Sequence, residues 1–146
     1  MQLSENGYNF LVSQEGLKLT AYKCQAGIWT IGVGHTKNVK QGDVITNTQA
    51  HKLFDEDSEW VERAVNRSGL VLNQNQFDAL FSLIFNIGEP NFKASTLYRL
   101  LKEDVKRKDI EMAWCRWNKA RINGELQISK GLDTRRKKEV ELFFKL

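Results

Sequence analysis

The sequence predicts an α+β fold in one domain, with a small β region near the N-terminus and a larger helical region after it. Three observations lead there. Residues 17–35 carry short apolar–polar alternations around turn-prone glycines, the period-2 pattern of short strands. From Thr46 onward the apolar residues recur at helical spacing, so strands and helices are segregated along the chain. The length, 146 residues, suits a single domain that builds a core without metal or disulfide staples.

The elements follow in order. A first helix covers 4–14, capped by Ser4, with Tyr8, Leu11 and Val12 on one face, and Glu15-Gly16 ends it. The β region spans about 17–45, with a hairpin or meander built from LTAY and IWTIGVG around the turn QAG. Gly32 and Gly34 flank Val33, which marks tightly turned or closely approached backbone. Lys37 to Val44 reads as loop with an edge strand.

The helical region covers about 46–146. Thr46 with Gln49, and Asn73 with Gln76, have capping-box spacing. The first box opens a helix striped by Leu53, Phe54, Trp60, Val61, Ala64 and Val65. The second opens the most hydrophobic segment, with Phe77, Leu80, Phe81, Ile84 and Phe85, expected at the centre of the core. Gly88 and Pro90 end it. Ser95 caps a short helix, Asp109 starts one carrying Met112, Ala113, Trp114 and Trp117, and Gly124 to Gly131 is expected to be polar loop. A last helix covers about 132–145 and carries Val140, Phe143 and Phe144. The first helix is expected to pack back on the helical lobe, leaving a cleft between the lobes.

Composition narrows the function classes. Hydrophobic residues at 41% and charged residues at 27% exclude a disordered chain. Lys plus Arg exceeds Asp plus Glu, 22 against 18, for a net charge of +4. That balance suits a polyanion, whether nucleic acid, an anionic membrane face or a charged wall polymer. Cys24 and Cys115 form no CxxC pair and are expected as free thiols in a reducing cytoplasm; a bridge between them is the alternative in an oxidising setting. No basic, apolar leader pattern opens the chain and no apolar run is long enough to span a membrane, so neither signal peptide nor stable membrane insertion is expected. His35 and His51 lack clustered partners, and GxGxxG, Walker and GxSxG motifs are absent. No metal and no cofactor is expected.

Several residues are candidates for chemistry. Glu15 stands where a helix stops, just before the β region, and a partly desolvated carboxyl there would serve as a general acid; an ordinary surface Glu is the plain alternative. Thr30 has a hydroxyl that can orient water, or is simply a strand threonine. His35, after the paired glycines, would order nearby backbone or a carboxylate. Trp29, Trp60, Trp114 and Trp117 read most plainly as core or hinge packing, and Trp29 is the one placed to stack on a flat sugar face. The basic runs Lys106-Arg107-Lys108 and Arg135-Arg136-Lys137-Lys138 read as phosphate contacts or, more plainly, as solvated helix faces.

The stretch EGLKLTAYKCQAGIWTIGVGHT resembles the active-site region of the bacteriophage-type lysozymes, glycoside hydrolase family 24, which include T-even-like members. Glu15, Gly16, Tyr22, Gly27, Thr30, Ile31, Gly32, Gly34 and His35 carry the resemblance. It continues through Gln76-Phe77-Asp78-Ala79-Leu80, Phe85-Asn86-Ile87-Gly88, Ser95-Thr96-Leu97, Trp117-Asn118-Lys119-Ala120, Gly131-Leu132, Arg135-Arg136 and Glu139. The resemblance implies a lysozyme-like fold with its active site in the interlobe cleft. It implies hydrolysis of the β-1,4 bond between N-acetylmuramic acid and N-acetylglucosamine in bacterial peptidoglycan, leading to host cell lysis. Glu15 would protonate the leaving oxygen, Thr30 would hold the attacking water, and His35, Tyr22, Gly32 and Gly34 would support the geometry.

The chain departs from the family at one position, where Cys24 stands in place of the usual catalytic Asp. Three readings follow: Cys24 ionises, aided by Lys23, and takes the Asp role; Glu15 and Thr30 suffice; or hydrolysis is lost and only peptidoglycan binding remains. A lytic transglycosylase and a nucleic-acid-binding domain are the further alternatives. The resemblance also implies a monomer made in the host cytoplasm that reaches the periplasm and wall through a holin, with no nucleic-acid partner.

Overall fold

A computed structural model describes residues 1–146. The helices are α1 (Glu5–Glu15), α2 (Asn47–Asp57), α3 (Glu59–Asn66), α4 (Gln74–Ile87), α5 (Glu89–Lys93), α6 (Thr96–Leu101), α7 (Arg107–Cys115) and α8 (Lys130–Phe143). Two antiparallel hairpins accompany them, β1 (Lys18–Lys23) with β2 (Trp29–Gly32), and β3 (Lys119–Ile122) with β4 (Glu125–Ile128). The chain forms two compact units, Tyr8–Trp60 and Met1–Gly7 together with Val61–Leu146.

In the unit Tyr8–Trp60, β2 packs on α2. Tyr8, Leu11, Ile31, Val33, Ala50 and Phe54 are buried, and the Tyr8 ring lies 3.9 Å from the His51 ring and edge-on to Phe54 at 5.5 Å. Both of the predicted capping boxes form, Thr46 with Gln49 on α2 and Asn73 with Gln76 on α4. In this unit α2 groups with the strands that it covers, and so do residues 8–15. The edge strand predicted before Val44 is reduced to one bridge, Thr20 to Val44, continued by Ile45 N donating to Leu19 O at 2.9 Å.

In the other unit, α4 lies against α8 and α7 packs on both α6 and α8. Every residue of α4 from Phe77 to Ile84 is buried. Its Leu and Phe side chains each contribute roughly 1.5–3 kcal/mol of transfer free energy relative to an exposed position. Ser4 caps α1, accepting from Gly7 N at 3.0 Å, and is itself held by the buried Asp78 carboxylate, which accepts from Ser4 N at 3.1 Å, from the Ser4 hydroxyl and from Gln74 Nε2 at 2.9 Å.

Two expectations for this unit fail. The predicted polar loop contains half of the second hairpin, so the later region is not all-helical. Asn123 at φ 54° and Gly124 at φ 82° form its turn, a left-handed pair that matches the twist of the strands. The run at Arg135-Arg136 is neither a solvated face nor a phosphate site in its first half. Arg135 and Arg136 are buried against the fully buried Glu139, which also accepts from Trp114 Nε1 at 3.0 Å and Ser82 Oγ at 2.5 Å. The reason is helical spacing: Glu139 lies four and three residues after the arginines, on the face turned toward the core.

Candidate active site

Glu15, Tyr22, Cys24, Trp29, Thr30, Gly32, Gly34 and His35 all lie in the unit Tyr8–Trp60. Glu15 is the last residue of α1, and Gly16, at φ 83°, closes the helix by donating to Val12 O at 2.8 Å. Glu15 is exposed rather than partly desolvated.

The β1–β2 connection carries Cys24. Its backbone forms a closed turn, with Cys24 N donating to Ile28 O at 3.0 Å and Gly27 N donating to Cys24 O at 2.9 Å. The thiol is pulled below its ordinary value, first by the Ile28 backbone amide, then by the Ala26 amide, with the Thr30 hydroxyl adding to them against a desolvation effect that raises it. These dipoles stabilise a thiolate by hydrogen bonding to the anion. Lys23, the cation expected to help, instead holds its ammonium 5.4 Å from the centroid of the Trp29 ring, its register partner across the strands. That contact covers a face of the Trp29 ring expected to be open for a sugar.

Thr30 is buried, 4% exposed, and its register partner is Tyr22 on β1. Its hydroxyl donates to Ile28 O at 2.9 Å, so the single hydroxyl proton has two competing acceptors, that carbonyl and the Cys24 sulfur. Past β2 the chain folds back on itself. Ile31 and His35 exchange two backbone hydrogen bonds, each 2.9 Å, around Gly32, Val33 and Gly34. Gly32 at φ 64° and Gly34 at φ 76° supply the left-handed backbone of this turn, which explains their spacing in the sequence. The turn is held by the His35 ring: Nδ1 lies 2.7 Å from Asp57 Oδ2, and Nε2 lies 3.0 Å from Lys37 O. Asp57 ends α2 and had no distinguishing mark in the sequence; only the fold brings it to His35.

The hairpin thus joins Cys24 to Thr30 directly, with Tyr22 and Trp29 in register beside them. His35, Gly32 and Gly34 brace the following turn. No group of His, Cys, Asp and Glu suited to a metal occurs among the described residues. Both cysteines are free.

Comparison with known proteins places this arrangement in context. The sequence profile described as phage lysozyme matches residues 12–139. An endolysin of Acyrthosiphon pisum secondary endosymbiont phage 1 is 43% identical over 145 residues, 98% of each chain. A SAR-endolysin of Pseudomonas phage phiKMV is 36% identical over 132 residues, covering 90% of this chain and 81% of that one. The solved structure of an endolysin from Escherichia coli O157:H7 phage FAHEc1 superposes with a TM-score of 0.88 at 37% identity, covering 99% of this chain and 94% of that one.

Proposed function

The chain belongs to the phage lysozyme family, and from that membership we propose that it hydrolyses the β-1,4 bond between N-acetylmuramic acid and N-acetylglucosamine of bacterial peptidoglycan, lysing the host cell. The observation that carries the reading to these residues is the Cys24 thiol, drawn toward its anion by the Ile28 and Ala26 amides with the Thr30 hydroxyl facing it. A neutral thiol is a poor substitute for a carboxylate, whereas a stabilised thiolate takes up both of its tasks, accepting a proton from water or bearing on a cationic sugar centre. Glu15 gives its proton to the departing glycosidic oxygen as the anomeric C–O bond breaks. Water adds its oxygen to the anomeric carbon, and its proton leaves to the thiolate. Thr30, through its hydroxyl, sets the position of the sulfur and of that water.

Purified sacculi and product analysis test this. Glu15→Gln abolishes release of reducing ends, and Cys24→Ala lowers it by roughly a hundredfold or more. Near-full activity of Cys24→Ala removes the thiolate from the mechanism and leaves Glu15 with Thr30. An inverted product anomer means that Cys24 acts on water, a retained one that sulfur attacks carbon directly. Products bearing a 1,6-anhydro ring would make the protein a lytic transglycosylase. Sacculus binding without cleavage would make it a binding protein.

We assign a holin as the route to the wall. No helix is long and apolar enough to cross a membrane. Expression with and without a holin decides the point, and lysis in its absence, the outcome suggested by the relative named a SAR-endolysin, overturns the assignment.

A further inference from the structure

The β3–β4 hairpin has no counterpart in the chemistry above. It is a two-stranded sheet joined to no other strand, and every residue of β4 is exposed. Leu126 is 64% exposed and Ile128 63%. Single exposed aliphatics are ordinary on a protein surface, but these two stand on one strand with one residue between them, on the same side of the pleat.

The register sorts the hairpin into two unlike faces. Lys119 pairs with Ile128 and Arg121 with Leu126, so these four side chains share a face. Ala120 pairs with Gln127 and Ile122 with Glu125, which places the hairpin's carboxylate on the opposite face. Between Arg116 and Lys130 the chain carries four cations, Arg116, Lys119, Arg121 and Lys130, against Glu125 alone.

We propose that the hairpin face formed by Lys119, Arg121, Leu126 and Ile128 docks on a lipid surface rich in anionic headgroups. Such a surface presents negative charge with hydrocarbon directly beneath it, the order required by cations set beside aliphatic side chains. A hydrophilic wall polymer meets the charge but offers nothing to cover the aliphatics. An added protein strand would use the open sheet edges and would be indifferent to the sorting of charge between faces. The docking is peripheral, independent of the active-site assignments, and consistent with the net charge of +4.

Leu126 and Lys119 also wall a groove of about 430 Å³ with Trp117, Leu132, Asn86 and Asn91, whereas Ile128 and Ile122 lie outside its lining. That division makes the test selective. The full chain is mixed with vesicles of phosphatidylglycerol and phosphatidylethanolamine, or of phosphatidylcholine alone, and the bound fraction is read by flotation. Binding is expected to the anionic vesicles only and to weaken as salt rises. Ile128→Thr and Arg121→Gln, both outside that lining, each lower it roughly fivefold. Ile122→Thr, on the other face, leaves it unchanged. Circular dichroism melts confirm that the variants are folded, and if Ile128→Thr is not, the charge variant carries the test. Absence of vesicle binding, equal binding to phosphatidylcholine, or an equal loss in Ile122→Thr overturns the proposal. So does a concentration-dependent dimer, or binding of soluble glycan fragments, that the same variants abolish while vesicles bind none of the protein.

Discussion

His35 and Asp57 meet at 2.7 Å, Nδ1 to Oδ2, and this contact fastens the turn after β2 to the end of α2. The other ring nitrogen faces the Lys37 carbonyl, which can only accept. Both partners of the ring are therefore acceptors. The pair is not deeply buried, since the Asp57 side chain is 41% exposed. Asp57→Asn and His35→Gln are each expected to cost about 1–3 kcal/mol in urea unfolding, the range of hydrogen bonds to charged groups. The double variant should lose less than the sum of the two. Additive losses would show that the residues act separately.

The two thiols should differ in reactivity. Cys24 is drawn down by the Ile28 and Ala26 amides, whereas Cys115 is pushed up, first by burial and then by the Asp133 carboxylate. The thiolate is the alkylating species. Iodoacetamide at pH 7 should label Cys24 several-fold faster than Cys115, as read by mass spectrometry of peptides. Because the folded chain favours the Cys24 thiolate, that thiol's contribution to stability is complete above the unfolded value and is lost as pH falls through the lowered folded one. Cys115 works in the opposite direction, and its contribution is lost as pH rises through the unfolded value. Equal labelling rates would contradict both shifts.

Acid sensitivity should trace to two carboxylates. Glu89 is held below the usual range mainly by its hydrogen bonds from Arg67, one from Nε at 2.8 Å, and Asp133 by Lys137 and then by Asn118. A depressed folded value means that stability is complete above the unfolded carboxylate value and falls as pH drops through the folded one. Glu89→Gln should therefore flatten the dependence of the melting temperature on pH below about 4.3. An unchanged acid limb would remove the Arg67 pair from the account. The effect is expected to be small, since the Arg67 side chain is 54% exposed.

Glu139 is the costliest single change expected. Arg135 and Arg136 share it inside the protein, and burial already pulls the Arg136 guanidinium below its ordinary value while Glu139 opposes that shift. Arg136 Nε comes within 2.8 Å of Oε1 but off the hydrogen-bond direction, an ion pair alone. Glu139→Gln leaves two buried cations without a counter-charge and should cost about 3–5 kcal/mol by chemical denaturation.

Gly7→Ala tests a close approach. A methyl group on Gly7 would lie 2.5 Å from Leu3 Cδ1 and 2.6 Å from Asp78 Cγ. Alanine improves helix propensity by about 1 kcal/mol, but the clash displaces the carboxylate that holds Ser4. A net loss of about 1–2 kcal/mol is expected in thermal unfolding, and a gain would show that Asp78 shifts freely.

Local chemistry made much of this protein legible in its sequence. Both capping boxes, the buried centre of α4 and the left-handed glycines after β2 are decided within a few neighbouring residues, so reading along the chain finds them. The Asn123-Gly124 turn was equally local: its alternating flanks Arg121-Ile122 and Glu125-Leu126-Gln127-Ile128 are a hairpin signal, masked by the polar character of the segment. Cys24 stood out by resemblance. The tertiary structure decided what depends on residues far apart in sequence. It brought Asp57 to His35, joined α2 to the strands, and turned Arg135 and Arg136 inward to Glu139, Ser82 and Trp114. A run of cations carries no mark of which side of its helix faces the core, because that choice is made by the packing of α4 and α7 against α8. The amides that favour the Cys24 thiolate are likewise invisible in one-dimensional form: every residue but proline has an amide N–H, and only the folded turn aims those of Ala26 and Ile28 at the sulfur.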